Sequence, residues 1–193
     1  MRHGAATRAT AETQVAVEWT LDGTGTATVA TGLPFFDHLL SQVARHGLFD
    51  LTVKAAGDLQ VDGHHTVEDV GLVMGEALAQ ALGDKAGLRR YGEAAVPLDE
   101  ALARVALDLS GRPFVALKAE FPQPMVGGFD TCLIAEFLRA FATRAGLTLH
   151  AEVTGANSHH TAEALFKALG RALDAATLTD PRVTGVPSTK GSL

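Results

Sequence analysis

The 193-residue chain has one cysteine, one tryptophan and one tyrosine, fewer basic than acidic residues, and no long apolar run. Each scarcity excludes something. A single cysteine cannot build an intrachain disulfide framework, so the chain must fold on its core and suits a reducing compartment. Cys132 itself, leading into the apolar Leu133-Ile134-Ala135, reads as a buried small hydrophobe rather than a nucleophile. No stretch approaches the roughly 20 apolar residues of a membrane helix, and Met1 to Thr13 holds no apolar segment of a secretory signal, so a cytoplasmic location is expected. With 16 Lys and Arg against 22 Asp and Glu, the chain has no basic stripe for nucleic acid. What is present is 47% hydrophobic residues, enough for a real core, and eight histidines, whose placement decides the reading because imidazole is a common metal ligand.

The chain repeats itself. His64-His65-Thr66-Val67-Glu68 recurs as His159-His160-Thr161-Ala162-Glu163, 95 residues later and so half a chain away. The flanks repeat as well. Val15 to Thr20, the turn residues Asp22 to Gly25, and Thr26 to Thr31 predict a hairpin, as do Leu102 to Leu109, Ser110 to Pro113, and Phe114 to Phe121. A helix follows each, Phe36 to Arg45 and Thr131 to Thr143, with apolar residues at helical spacing. Gly47 and Gly146 stand where left-handed C-caps are expected, before the β-rich runs Leu48 to Ala55 and Leu147 to Val153. Helices beginning at the motifs, Thr66 to Leu82 and Thr161 to Ala176, close each half. The fold class is therefore α/β, a layered unit made of a duplicated ββαβα half, with the two halves packed about a pseudo-twofold axis. The boundaries read as 1–96 for the first half, 97–180 for the second, turning at Pro97 to Asp99, and 181–193 for a tail without periodicity.

In each motif the glutamate follows the two histidines by three and four residues, so carboxylate and imidazole can share a helix face. Adjacent histidines on a helix diverge by about 100°, so each pair serves two nearby ions more naturally than it chelates one. One such pair alone is commonly a solvated helix start; the duplication argues for metal. Imidazole and carboxylate without thiolate favour Mn, Fe or Zn over Mg or Ca. A further ligand should come from the other helix of each half. His38 stands there in the first half, and the apolar pattern places Glu136 at the corresponding point of the second.

The series Arg8-Ala9-Thr10-Ala11-Glu12-Thr13, Pro34-Phe35-Phe36-Asp37-His38, Asp62-Gly63-His64-His65-Thr66-Val67-Glu68-Asp69, Pro97-Leu98-Asp99-Glu100-Ala101, Asp108-Leu109-Ser110-Gly111-Arg112-Pro113, Asn157-Ser158-His159-His160 and Pro187-Ser188-Thr189-Lys190-Gly191 resembles the imidazoleglycerol-phosphate dehydratase family over essentially the whole chain. That resemblance implies a hydro-lyase of histidine biosynthesis that converts imidazoleglycerol phosphate to imidazole-acetol phosphate. It implies two Mn ions per site, ligated by His38, His64, His65, Glu68, His159, His160 and Glu163, and an octahedral assembly of twenty-four subunits with sites at their interfaces. The family usually carries histidine where this chain has Glu136. For the substrate phosphate the resemblance points to Arg90, Arg112, Lys167, Ser188 and Lys190, and for the acid/base to Glu12, which by itself is a charged residue entering an edge strand.

The hydrogen to be lost lies beside no carbonyl and is poorly acidic. Metals gripping both imidazole nitrogens would favour the deprotonated ring, which can expel the hydroxyl as water while an acid/base works on the far side. Two rivals are weighed at this level: a shell protein that stores metal without turnover, against which the phosphate-directed Arg and Lys set speaks, and a dinuclear metal hydrolase, since two ions can also activate water.

Overall fold

The computed structural model describes residues 1–193. The first half runs β1 (His3–Ala9), β2 (Thr13–Thr20), β3 (Ala27–Ala30), α1 (Pro34–Gly47), β4 (Asp50–Gly57) and α2 (His64–Leu82). The second runs β5 (Tyr91–Leu98), β6 (Ala101–Asp108), β7 (Phe114–Ala119), a small hairpin of β8 (Met125–Val126) and β9 (Phe129–Asp130), then α3 (Leu133–Ala145), β10 (Thr148–Thr154) and α4 (Ser158–Thr177). The two main sheets have the same strand order, β1-β2-β4-β3 and β5-β6-β10-β7. The duplication read from the motifs is thus a duplication of topology.

Strict alternation sets the sheet faces. Along β2, Thr13, Val15, Val17 and Trp19 turn inward and the residues between them outward. Helix α2 covers β1 and β2, and α4 covers β5 and β6, so the helices lie between two outer sheets. Across the middle, α1 packs on α4 and α2 on α3. Since α1 corresponds to α3 and α2 to α4, these contacts exchange under a half-turn, as a pseudo-twofold interface requires. One continuous cluster of 49 buried residues draws on both sheets and all four helices, so neither half has a core of its own. Trp19 of the first sheet, stacked at 6.0 Å on Phe141 of α3, is one of the side chains that join the halves.

The structure corrects several expectations. Neither predicted hairpin forms: β3 lies parallel to β4, and β4 separates it from β2, with the same arrangement for β7, β10 and β6. Asp50 explains the first case, because its carboxylate accepts the backbone N–H groups of Thr24 and Thr26 and fastens the would-be turn to the start of β4. The chain then crosses through α1, the kind of connection a parallel pair needs. Within the two main sheets the hairpins are β1–β2 and β5–β6. Their first strands escaped notice because β1 is alanine-rich with a weak apolar alternation, and β5 contains a proline, which an edge strand tolerates. Since β5 pairs with β6, Pro97 to Asp99 lies at a hairpin end, and the passage between the two sheets falls between Leu82 and Tyr91.

Gly47 is the last helical residue of α1, and Leu48 takes the left-handed position at φ 56°. A side chain at 47 would strike the Phe49 ring at 2.4 Å and the Gly170 carbonyl at 2.8 Å, so packing against α4 dictates that glycine. Gly146, at φ 63°, is the left-handed cap expected of it. Cys132 is exposed at the head of α3 rather than buried, and hydrogen bonding to the nearby Asp130 carboxylate pushes its thiol up to about 11.

Gly4 and Gly92 show the duplication in packing. A Cβ at either would sit 1.9 Å from a helix carbonyl, that of Ala77 on α2 or Ala172 on α4. Backbone cannot yield as a flexible side chain can, so Gly92→Ala is expected to cost about 1–3 kcal/mol, as overpacked sites do. A urea midpoint equal to that of the parent would show that strand and helix separate freely.

Candidate active site

Each motif is aimed by its threonine. Thr66 and Thr161 are fully buried, and a Cβ added at Gly57, the last residue of β4, would lie 2.0 Å from Thr66 Oγ1, and one at Gly155, just after β10, 2.5 Å from Thr161 Oγ1. With threonine turned into this junction, helical periodicity carries the histidines and the glutamate toward the open side. The helix starts are fixed by short side chains: Asp62 accepts the His64 N–H at 2.7 Å, and Asn157 accepts that of His159 at 2.9 Å.

Helices α1 and α4 bring three ligand-type groups together across the two halves. His38 Nε2 lies 2.6 Å, and His159 Nε2 3.0 Å, from the same oxygen, Oε1 of Glu163. The other oxygen, Oε2, accepts from Lys167 Nζ at 2.7 Å. Burial pushes the Glu163 carboxyl up, but hydrogen bonds from Lys167, His38 and His159 outweigh it and hold the group at about 2. Gln42, one turn after His38, places its side-chain nitrogen 3.2 Å from His38 Nε2. Two imidazole nitrogens and an ionised carboxylate within 4.8 Å of one another fit a borderline divalent cation.

The second histidine of each pair faces elsewhere. The His159 and His160 ring centroids lie 6.1 Å apart and those of His64 and His65 6.2 Å, with the ring planes near perpendicular in each pair. His65 Nδ1 lies 3.0 Å from Asp58 Oδ2 and 3.7 Å from Glu12, and these three residues form the other ligand-type group of the chain. His160 Nδ1 lies 2.8 Å from Glu100 Oε2. These hydrogen bonds raise the pKa of both histidines, and the His160 bond lowers that of Glu100. Sequence reasoning left Asp58 unremarked and gave Glu100 no role. The available signal was positional: Glu100 immediately precedes β6 as Glu12 immediately precedes β2.

Glu136, His64 and Glu68 occupy the places corresponding to His38, His159 and Glu163, yet they do not form a third such group. Glu136 is instead paired with Arg139, one turn along α3, at 2.9 Å. Glu68 is exposed on α2.

Four of the five residues assigned to the substrate phosphate line one open cavity of about 660 Å³: Arg90, Arg112, Ser188 and Lys190, with Thr189 beside them. Arg90 is partly committed there. It forks onto both oxygens of Asp108 at 2.7 and 3.1 Å and donates to the Pro187 carbonyl at 2.8 Å, which fastens the tail to the second sheet. Arg112 is mostly exposed and reaches Asp108 at 3.6 Å. Lys167, the fifth, stands against Glu163 rather than in the cavity. No helix of the chain is long and apolar enough to cross a membrane.

Residues 31–173 match the family model described as imidazoleglycerol-phosphate dehydratase. The chain is 58% identical over 193 residues to the imidazoleglycerol-phosphate dehydratase of Symbiobacterium thermophilum, covering 100% of itself and 93% of that protein. It is 56% identical over 195 residues to that of Dechloromonas aromatica, covering 100% of both. Among solved structures, the enzyme of the same name from Staphylococcus aureus superposes with a TM-score of 0.83 at 37% identity, covering 92% of this chain and 99% of that one. The one from Pyrococcus furiosus does so with a TM-score of 0.83 at 34% identity, covering 97% and 99%.

Proposed function

The chain belongs to the imidazoleglycerol-phosphate dehydratase family, and from that premise we propose that it dehydrates imidazoleglycerol phosphate to imidazole-acetol phosphate through a dinuclear metal site. The observation that carries the metal half of this reading is the convergence of His38 Nε2 and His159 Nε2 on one oxygen of Glu163. We assign His38, His159 and Glu163 to one ion environment and His64, His65, Glu68 and His160 to the remaining ligand positions, with Glu136 serving where relatives carry histidine. Divalent ions, Mn2+ in this reading, would supply positive charge at the imidazole nitrogens and so favour the deprotonated ring of the substrate.

The chain's own residues do the rest. Glu163, held ionised beside Lys167, keeps two imidazoles pointed at a common centre. Arg112, Ser188 and Lys190 offer charge-assisted donors to a phosphate dianion, and Arg90 shapes the cavity they line. Glu12, beside His65 and open to solvent, is placed to move the proton. The phosphate cavity is lined by none of the imidazole or carboxylate groups named above. That separation supports a site completed between copies of the chain; the number of copies, twenty-four, rests on the family resemblance alone. The reading carries a cytoplasmic setting, where a phosphorylated substrate is retained.

Supplying imidazoleglycerol phosphate to the chain before and after chelation tests the proposal. Imidazole-acetol phosphate should form, stop on chelation and resume when Mn2+ is restored. Unchanged turnover after complete metal removal would sink the metal mechanism, and no product under any condition would sink the activity.

A further inference from the structure

The two halves differ in one place that bears on chemistry. Six residues separate Gly57 from His64, whereas three separate Gly155 from His159. The first of the six is Asp58, and its carboxylate holds His65 Nδ1 at 3.0 Å. The corresponding residue of the second half is Ala156, which has no acceptor to offer from its side chain. There the histidine is held by Glu100, which also accepts the backbone N–H of Asn157 at 2.9 Å.

Glu100 and Glu12 are counterparts. Each precedes the second strand of its sheet, and the residue after each packs on the glycine at or just past the end of the neighbouring strand, with Ala101 against Gly155 and Thr13 against Gly57. Glu100 is spent on its histidine, whereas Glu12 stands 3.7 Å from His65 with Asp58 closer.

Resting on the function proposed above, we infer that Asp58 and Glu100 are the positioning carboxylates of the second histidine in each motif, and that the longer loop carrying Asp58 releases Glu12 from this duty. A carboxylate on Nδ1 fixes the tautomer with the proton there and leaves the Nε2 lone pair free to face a cation. His65 and His160 are both held in this way through Nδ1, whereas His38 and His159 meet Glu163 through Nε2. Duplication supplied two equivalent glutamates, and a three-residue difference in loop length gave them different work.

The test is Mn2+ affinity, read from the signal of free Mn2+ by electron paramagnetic resonance as the chelated full chain is titrated. Asp58→Ala is the cleaner arm, because the Asp58 carboxylate hydrogen-bonds only to His65. Asp58→Ala and Glu100→Ala should each weaken part of the bound Mn2+ by about 10- to 100-fold, the cost typical of losing such a partner. Asp58→Asn, whose amide oxygen still accepts from Nδ1–H, should recover most of the loss. Undiminished affinity in both alanine variants, or a loss that Asn does not recover, overturns the positioning role. A parent chain that takes up no Mn2+ would be seen before any variant is made, and would sink the metal reading itself.

Discussion

Glu12→Gln is expected to lower turnover by about 100-fold or more while leaving bound metal and substrate affinity close to those of the parent, the signature of a lost acid/base. The geometry explains why the effect should separate so cleanly. The Glu12 carboxylate lies 3.7 Å from His65 Nδ1, beyond a hydrogen bond, and Asp58 already occupies that nitrogen. Removing its charge therefore leaves the histidine held. The residue is not loose, however: its backbone N–H donates to Thr10 Oγ1 at 3.1 Å, and its carbonyl accepts from the Asp58 N–H at 3.1 Å, so the turn between β1 and β2 fixes where the side chain starts. Its side chain is 55% exposed, open to a substrate or to a neighbouring copy of the chain. Steady-state kinetics with metal analysis on the same sample would decide. A proportional loss of metal would make Glu12 a ligand, and unchanged turnover would remove it from the mechanism.

The repeated motif, the four helices and the strand entering each motif helix could be read from the amino-acid order, because helical periodicity and end signals are local. Strand partners could not. Thr24 and Thr26 look like the far side of a turn until Asp50, a residue beyond the intervening helix, takes their N–H groups. The edge strands β1 and β5 pack by close backbone approach at Gly4 and Gly92, which leaves little apolar alternation to find. The site divides in the same way. His38, His159 and Glu163 were legible as ligand types, but their meeting depends on the packing of α1 against α4, which no local pattern encodes. Asp58 and Glu100 were missed because their meaning lies in which histidine they touch, and a three-residue difference in loop length is silent until both halves are folded. Lys167 lies one helical turn after Glu163, so its partner could have been found from spacing alone.

Glu163 is where the largest loss is expected. Replacing it with Gln keeps the shape of the side chain and removes the charge that His38, His159 and Lys167 share, so the ion held there should be lost on dialysis. Turnover should fall by at least the roughly 10²- to 10³-fold that removing a single electrostatic contact costs. A second consequence needs no metal. The folded chain holds the Glu163 carboxyl at about 2, against an ordinary value of 4.5. A depressed carboxyl stabilises the fold in full above its unfolded value, and that contribution drains away as pH falls through the folded one. The metal-free parent should therefore be more stable than Glu163→Gln near neutrality, and the gap should close between about pH 4.5 and pH 2, where the parent's carboxylate takes up its proton. Urea unfolding of both chains across that range reads the gap directly. A difference that stays constant to pH 2 would mean that Lys167 and the two histidines do not hold the charge as drawn, and a Gln variant that keeps its full complement of ions would take Glu163 out of the ligand set.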